Sequence, residues 1–237
     1  EDFKRDYLDE LISAVVTEDI LVAENIAEKI LSIDPDNQEA KLVQMTRAFK
    51  NNQLTELNSL RFDSTNNKND LLEFLFYQDN KIKTKSSISN SFLDIVRSSY
   101  SNRDVNYSQN YNFLLFYASL SIFLNRENYE AILIKGQLLQ LINDFIFAEK
   151  TYLKIPENSQ YFIDAQRNIA FNYSRENFFT DAENKIKKIV KKNNSDYELK
   201  KILADFYRIN KKYKLAILLY DEMINQNKDD LWNIYYR

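Results

Sequence analysis

A 34-residue spacing of small and bulky residues constrains this chain more than any other feature. Small residues recur at Gly136, Ala170 and Ala204 in the C-terminal half. Each is followed three positions later by a bulky residue, which would lie one helical turn further along the same face. Local helix propensity requires no such register. The spacing therefore predicts a structural unit that is repeated along the chain.

Each unit continues with a second set of marked positions. A polar turn leads to an aromatic residue that starts the next helix, and an alanine follows three positions later. Small residues on both helices allow the two helices of a pair to approach closely. The aromatic residues are Phe145, Phe179 and Tyr213, and the alanines are Ala148, Ala182 and Ala216. The predicted units are residues 129–162, 163–196 and 197–230, with two helices in each.

Composition excludes most β folds and most catalytic chemistry. With one glycine and two prolines in 237 residues, the chain lacks the usual residues of many tight turns. It has no histidine and no cysteine, which removes imidazole bases, thiolate nucleophiles and the usual zinc ligands. A net charge of −3 has the wrong sign for a dedicated nucleic-acid binder. We expect no enzyme activity, no metal, no cofactor and no nucleic-acid partner.

This pattern resembles the tetratricopeptide repeat (TPR), a helix–turn–helix unit of 34 residues. The stretch VAENIAEKILSIDPDNQEA is similar to a further copy, with Ala23 at the alanine position and Pro35 closing the unit. Asp36 or Asn37 can cap the following helix. A degenerate copy runs from Gln38 to about Leu60. The resemblance implies an all-α fold, a right-handed α-solenoid of antiparallel helix pairs. It assigns helix pairs to residues 1–61 and the start of a capping helix to residues 231–237.

The middle section, residues 62–128, breaks this register, because the 125 residues from Ala23 to Ala148 are not a multiple of 34. Its apolar run FLLFYASLSIFL is too short to cross a bilayer and predicts a buried helix. Clusters of polar residues predict loops at 62–69, 81–91 and 101–110. Short helices are expected between them, at 70–78 and 91–100.

The resemblance also implies where a partner would bind. In this family the first helices of successive units line a groove, and a protein or peptide with acidic and apolar residues would dock there. Two alternatives remain for its charges: a basic wall that faces the partner, or solvated helix faces paired with Asp164, Glu198 and Asp205. The predicted groove residues are Arg167, Asn168, Phe171, Arg175, Lys201, Ile202, Asp205 and Arg208.

Two further features bear on the partner. Some family members clamp a chaperone's terminal carboxylates, but Phe171 and Ile202 stand where such a clamp has asparagines, which argues against that partner. The aromatic group Trp232, Tyr235 and Tyr236 is predicted either to cap the last unit or to form a second binding patch.

The sequence thus predicts a non-enzymatic scaffold that binds a protein partner and stabilises or assembles it. Abundant Asn and Lys are typical of A+T-rich genomes, and we expect a bacterial, spirochaete-like protein of the cell envelope, periplasmic or membrane-associated, that supports virulence-associated proteins. The first residue is Glu1, which leaves open a leader or anchor removed upstream. The alternatives are a cytoplasmic regulatory sensor of peptides on the same scaffold and an α/α-type carbohydrate-active enzyme. Self-association is also open.

Overall fold

The computed structural model describes residues 2–62, 70–79, 81–101, 111–175, 179–192 and 197–226. Within these ranges the chain is helical apart from turns and one short hairpin, in which β1 (Tyr77–Gln78) pairs antiparallel with β2 (Lys81–Ile82). The predicted all-α class is confirmed. The helices are α1 (Asp2–Val16), α2 (Ile20–Ile33), α3 (Gln38–Lys50), α4 (Leu54–Phe62), α5 (Asp70–Phe76), α6 (Lys85–Ser101), α7 (Tyr111–Leu124), α8 (Tyr129–Leu141), α9 (Phe145–Tyr152), α10 (Phe162–Arg175), α11 (Phe179–Lys192), α12 (Tyr197–Ile209) and α13 (Tyr213–Gln226).

The chain forms two compact units, Glu1–Leu138 and Leu139–Arg237. In the first unit α1 packs on α2, α3 on α4 and α6 on α7; in the second unit α10 packs on α11 and α12 on α13. Helices that are consecutive in sequence therefore form antiparallel pairs. The boundaries of the four segments derived from sequence (1–61, 62–128, 129–230 and 231–237), and the right-handed course of a solenoid, stay predictions.

Four helix hairpins close through the same backbone turn. Glu18, Asn52, Asn143 and Lys211 have φ values of 67°, 59°, 63° and 60°. The next N–H reaches back to the helix each time, as when Lys212 N donates to the Tyr207 carbonyl oxygen at 2.8 Å. This is the Schellman arrangement, which usually employs glycine. Glu18 and Asn52 lie 34 residues apart, and Asn143 and Lys211 lie twice 34 residues apart. The positive-φ turns therefore recur with the 34-residue period of the sequence.

Several sequence-derived helix ends are confirmed. The second helices α9 and α13 begin at Phe145 and Tyr213, as predicted. The residues just before Phe179 lie outside the described ranges, so the start predicted for α11 stays a prediction. Asn37 caps α3, because its side-chain oxygen accepts a hydrogen bond from the Ala40 N–H at 2.9 Å. The small residues that mark the repeat are buried wherever the structure describes their side chains: Gly136, Ala148, Ala170, Ala204 and Ala216.

The middle section differs from its prediction in two places. Residues 81–91 are not a loop, since β2 covers 81–82 and α6 begins at Lys85. Ser89 of α6 and Ser121 of α7 exchange hydrogen bonds, with each hydroxyl donating to the other residue's carbonyl, at 3.0 and 2.8 Å. Serines that resemble loop residues are therefore satisfied between two packed helices. The helix predicted at 70–78 ends at Phe76, where the hairpin begins.

Two further predictions for the middle section concern its apolar run and its other two loops. The apolar run lies in α7, and most of its side chains are buried as predicted. The loops predicted at 62–69 and 101–110 fall almost entirely outside the described residues.

A buried carboxylate ties three helices of the second unit together. Glu183 of α11 accepts hydrogen bonds from Lys187 on the same helix and from Lys212, the residue just before α13. The Tyr207 hydroxyl on α12 donates to the same carboxylate at 3.3 Å. Burial acts to raise the pKa of Glu183, but the hydrogen bonds from Lys187 and Lys212 outweigh burial and the pKa lies below its usual value.

We expect Glu183→Gln to destabilise the second unit by about 1–2 kcal/mol at neutral pH, because buried acceptors of charged hydrogen bonds are lost. A lowered pKa means that the unfolded chain takes up the proton first. The stabilisation is therefore complete above 4.5, the ordinary Glu value, and is lost as pH falls through the lower folded pKa.

Urea unfolding followed by circular dichroism from about pH 7 to about pH 3 measures this acid dependence, which Glu183→Gln should reduce. Asp221→Asn, at an exposed position on α13, is the matched control. An unchanged acid dependence in Glu183→Gln would contradict the assignment.

Candidate functional site

All eight predicted groove residues lie on two neighbouring helices, α10 and α12, which pack against each other. We call this area the α10–α12 surface. Spacings of three and four residues place them on one face of each helix. Arg167, Asn168, Phe171 and Arg175 belong to α10, and Lys201, Ile202, Asp205 and Arg208 belong to α12.

A pocket opens on the α10–α12 surface and encloses about 210 Å³, open solvent included. Its lining residues are Arg167, Ala170, Phe171, Ile202, Asp205 and Phe206. Four of these six are apolar, and the two charged residues stand across from each other on different helices. The pocket is therefore a shallow, mainly apolar depression with one charged residue contributed by each helix.

Arg167 of α10 and Lys201 of α12 are each paired with carboxylates on these two helices. Arg167 Nη1 lies 2.7 Å from Asp164 Oδ1, and its Nη2 lies 3.5 Å from Glu198 Oε2. Lys201 Nζ lies 3.7 Å from Glu198 Oε1. These pairs match the alternative in which the charges compensate one another on the helix faces. The surface thus presents both signs of charge.

Asp205, at the edge of the pocket, is held in place from α13. The Tyr220 hydroxyl donates a hydrogen bond to Asp205 Oδ1 at 2.8 Å, and Arg208 Nη2 lies 3.5 Å from the same oxygen. Burial, followed by the hydrogen bond to Asp205, raises the pKa of Tyr220 to about 12. The phenol therefore remains a donor at neutral pH, and the pocket keeps a fixed, charged edge.

The other predicted site residues are placed less completely. Asn168 is half-buried, and its carbonyl oxygen accepts a hydrogen bond from Gln140 Nε2 at 3.2 Å. Arg175 is the last residue of α10, and its side chain lies outside the described residues. The aromatic patch of Trp232, Tyr235 and Tyr236 also lies outside them.

Three residues that shape the pocket were not predicted from the sequence. Ala170 and Phe206 line it, and Tyr220 holds Asp205 by a hydrogen bond. Ala170 was interpreted only as the small residue of the repeat that lets helices pack closely. The opening that it leaves beside Phe171 was therefore not predicted. Phe206 and Tyr220 follow the apolar period of α12 and α13 and are typical of core residues. A helical wheel of α12 could have placed Phe206 one turn beyond Ile202, but no sequence signal places Tyr220 against Asp205.

No protein-family model and no curated protein matches this sequence. Among solved structures the chain is similar to a tetratricopeptide repeat protein from Parabacteroides merdae, at 14% identity and a TM-score of 0.42, covering 95% of this chain and 80% of that one. It is also similar to the TPR domain of P58(IPK), at 14% identity and a TM-score of 0.34. There it covers 99% of this chain but 63% of that one. At this level of similarity, the all-α assignment rests on the helices themselves.

The described residues offer neither a candidate membrane span nor a candidate metal site. No described helix is both long enough and apolar enough to cross a bilayer. Nor does the described part of the chain bring together three potential metal ligands of the carboxylate, imidazole or thiolate type.

Proposed function

We propose that this chain is a non-enzymatic scaffold that binds a protein partner and stabilises or assembles it, with the α10–α12 surface as its docking face. The observation that carries the proposal is the apolar pocket between α10 and α12, whose charged edge is already held by hydrogen bonds and ion pairs. Because these side chains are ordered before binding, a partner loses less free energy in fixing them.

The partner would be an extended or helical segment that packs an apolar side chain against Phe171 and Ile202. The charges around the pocket have both signs, so the segment should carry acidic and basic residues on either side of its apolar anchor. A uniformly acidic tail fits this surface less well, because Asp164, Glu198 and Asp205 would repel it.

Affinity capture of partners from the source organism tests the proposal. The Phe171→Ala variant removes one wall of the pocket, and Arg167→Glu/Lys201→Glu reverses two charges at its edge. We expect each change to weaken a genuine groove partner by about tenfold or more, the effect of removing one anchoring contact. The matched control is Lys188→Glu/Lys191→Glu, which reverses two exposed charges on α11. A partner retained equally by all four proteins would place docking elsewhere.

The proposal extends to where the protein works. The composition and the TPR resemblance favour a bacterial envelope, in the periplasm or at a membrane, where the chain would support virulence-associated proteins. The cytoplasmic peptide sensor shares the same surface and differs in compartment and partner. Fractionation of the source cells separates the two, since recovery with the cytoplasmic fraction would favour the sensor.

A further inference from the structure

An exposed apolar stripe runs along the outer side of α13. Leu218 is 65% exposed and Ile217 is 56% exposed, and Leu215 just before them is also exposed. The opposite side of the helix carries the buried residues Ala216 and Met223. Leu218 stands about 200° around the helix from Ala216 and therefore points away from the core of the second unit. Large apolar side chains that adjoin on an exposed helix face mark an interaction surface.

The repeat itself does not call for an apolar residue at position 218. The equivalent residue one period earlier is Asn184 of α11, which is polar and exposed. Helix α12 follows α11 and packs on it, yet it leaves Asn184 exposed. A helix that followed α13 in the same geometry would likewise leave Leu218 uncovered. The occupant of this stripe should therefore come from outside the repeat array of this chain.

Two opposite charges flank the apolar residues at equal distances. Lys214 precedes Leu218 by four residues and Asp221 follows it by three, so all three lie on one face of α13. Both charged side chains are exposed, and the described residues offer neither of them an ion-pair partner. The midpoint between the two charges falls between Ile217 and Leu218. The stripe therefore has a basic end, an apolar centre and an acidic end.

A stripe with this charge pattern is complementary to itself when the helix is turned end to end. A two-fold axis through its midpoint would pair Lys214 of each copy with Asp221 of the other, so the same ion pair would form twice. The same axis would bring Ile217 of each copy against Leu218 of the other. A parallel arrangement would instead place like charges side by side, which is unfavourable. Charge complementarity thus selects an antiparallel pair of α13 helices.

We propose that α13 binds the α13 of a second copy of this chain in antiparallel orientation, through the stripe of Lys214, Ile217, Leu218 and Asp221, to form a homodimer. The contact is confined to one helix face, and interfaces at the small end of the range form weak complexes. The dimer should therefore dissociate on dilution. Changes at the two exposed charges should leave the stability of the dilute monomer unaltered. The proposal does not rest on the partner-binding function of the α10–α12 surface.

Sedimentation equilibrium of the full chain over a range of concentrations tests the proposal. We expect a reversible equilibrium between monomer and dimer. Leu218→Asp should weaken the dimer by about tenfold or more, because it places two carboxylates in the apolar centre of the interface. The substitution falls at an exposed side chain, and circular dichroism checks that the fold persists. Lys188→Glu, at an exposed position on α11, is the matched control and should dimerise as the unaltered chain does.

Charge reversal tests the antiparallel register. Lys214→Glu and Asp221→Lys each place like charges opposite one another, so each variant alone should dimerise about tenfold more weakly. Mixing the two variants should restore association, because each reversed charge then meets its opposite on the other copy. Damage to the fold by either substitution would not be repaired by mixing.

Two kinds of result would overturn the dimer. The first is a full chain that stays monomeric at every concentration. If Leu218→Asp then lowers hydrogen-exchange protection in α13, the stripe is covered by residues 227–237 of the same chain. The second is a dimer that neither charge variant weakens, or that mixing does not restore, which would place self-association on another surface. Loss of the dimer with partner capture intact would leave the scaffold function standing.

Discussion

Replacing Phe92 by alanine is expected to destabilise the first unit by about 3–5 kcal/mol, the usual cost of emptying an aromatic site in a core. Phe92 has no exposed surface. Its ring packs edge-on against Phe76, with 6.0 Å between centroids and 88° between planes, and lies 6.2 Å from the ring of Tyr117. Phe76 in turn contacts Phe49 at 6.5 Å. The substitution therefore removes one ring from a chain of four that links α3, α5, α6 and α7.

Hydrogen exchange of the α6 and α7 amides is the best measurement of this effect. The chain forms two compact units, so a single unfolding curve need not follow a two-state transition. Phe74→Ala is the matched control, because Phe74 is 55% exposed in the neighbouring helix α5 and should cost within about 0.5 kcal/mol. Equal losses of protection in the two variants would show that Phe92 is not a core residue.

Enlarging Ala204 is expected to destabilise the second unit by about 1–3 kcal/mol, increasing with side-chain volume. Ala204 is 0% exposed on α12, which packs against α10, α11 and α13. A close-packed site has no room for added methyl groups. We expect Ala204→Leu to cost more than Ala204→Val. Helix propensity alone predicts the reverse order, because leucine is the better helix former.

The same pair of substitutions at Asn184 supplies the control for this order. Asn184 is exposed in the middle of α11, so propensity should decide there, and Asn184→Val should be less stable than Asn184→Leu. Hydrogen exchange of the second unit's amides in the four variants gives both comparisons. If leucine is better tolerated than valine at both positions, Ala204 does not have the close-packing role that the repeat implies.

Much of the candidate site could be predicted from the sequence, because a helical repeat fixes which side chains share a face. Arg167 and Phe171, and likewise Ile202 and Asp205, were placed on one surface by spacing alone, and the structure brings them around one pocket. The charge of that surface could not be predicted. Whether Arg167 faces a partner or pairs with Glu198 depends on the distance between two helices, which no spacing within one helix determines.

The amino-acid sequence by itself determined the helical class, the starts of the second helices α9 and α13, and the 34-residue period. These follow from local chemistry: apolar periodicity, small residues at crossings, and caps such as Asn37. The tertiary structure decided what local chemistry leaves open. It made a helix of the serine-rich stretch at α6, because Ser89 finds hydrogen-bond partners on α7. Hydrogen bonds and charges between residues distant in sequence depend on packing, and packing is settled only when the chain folds.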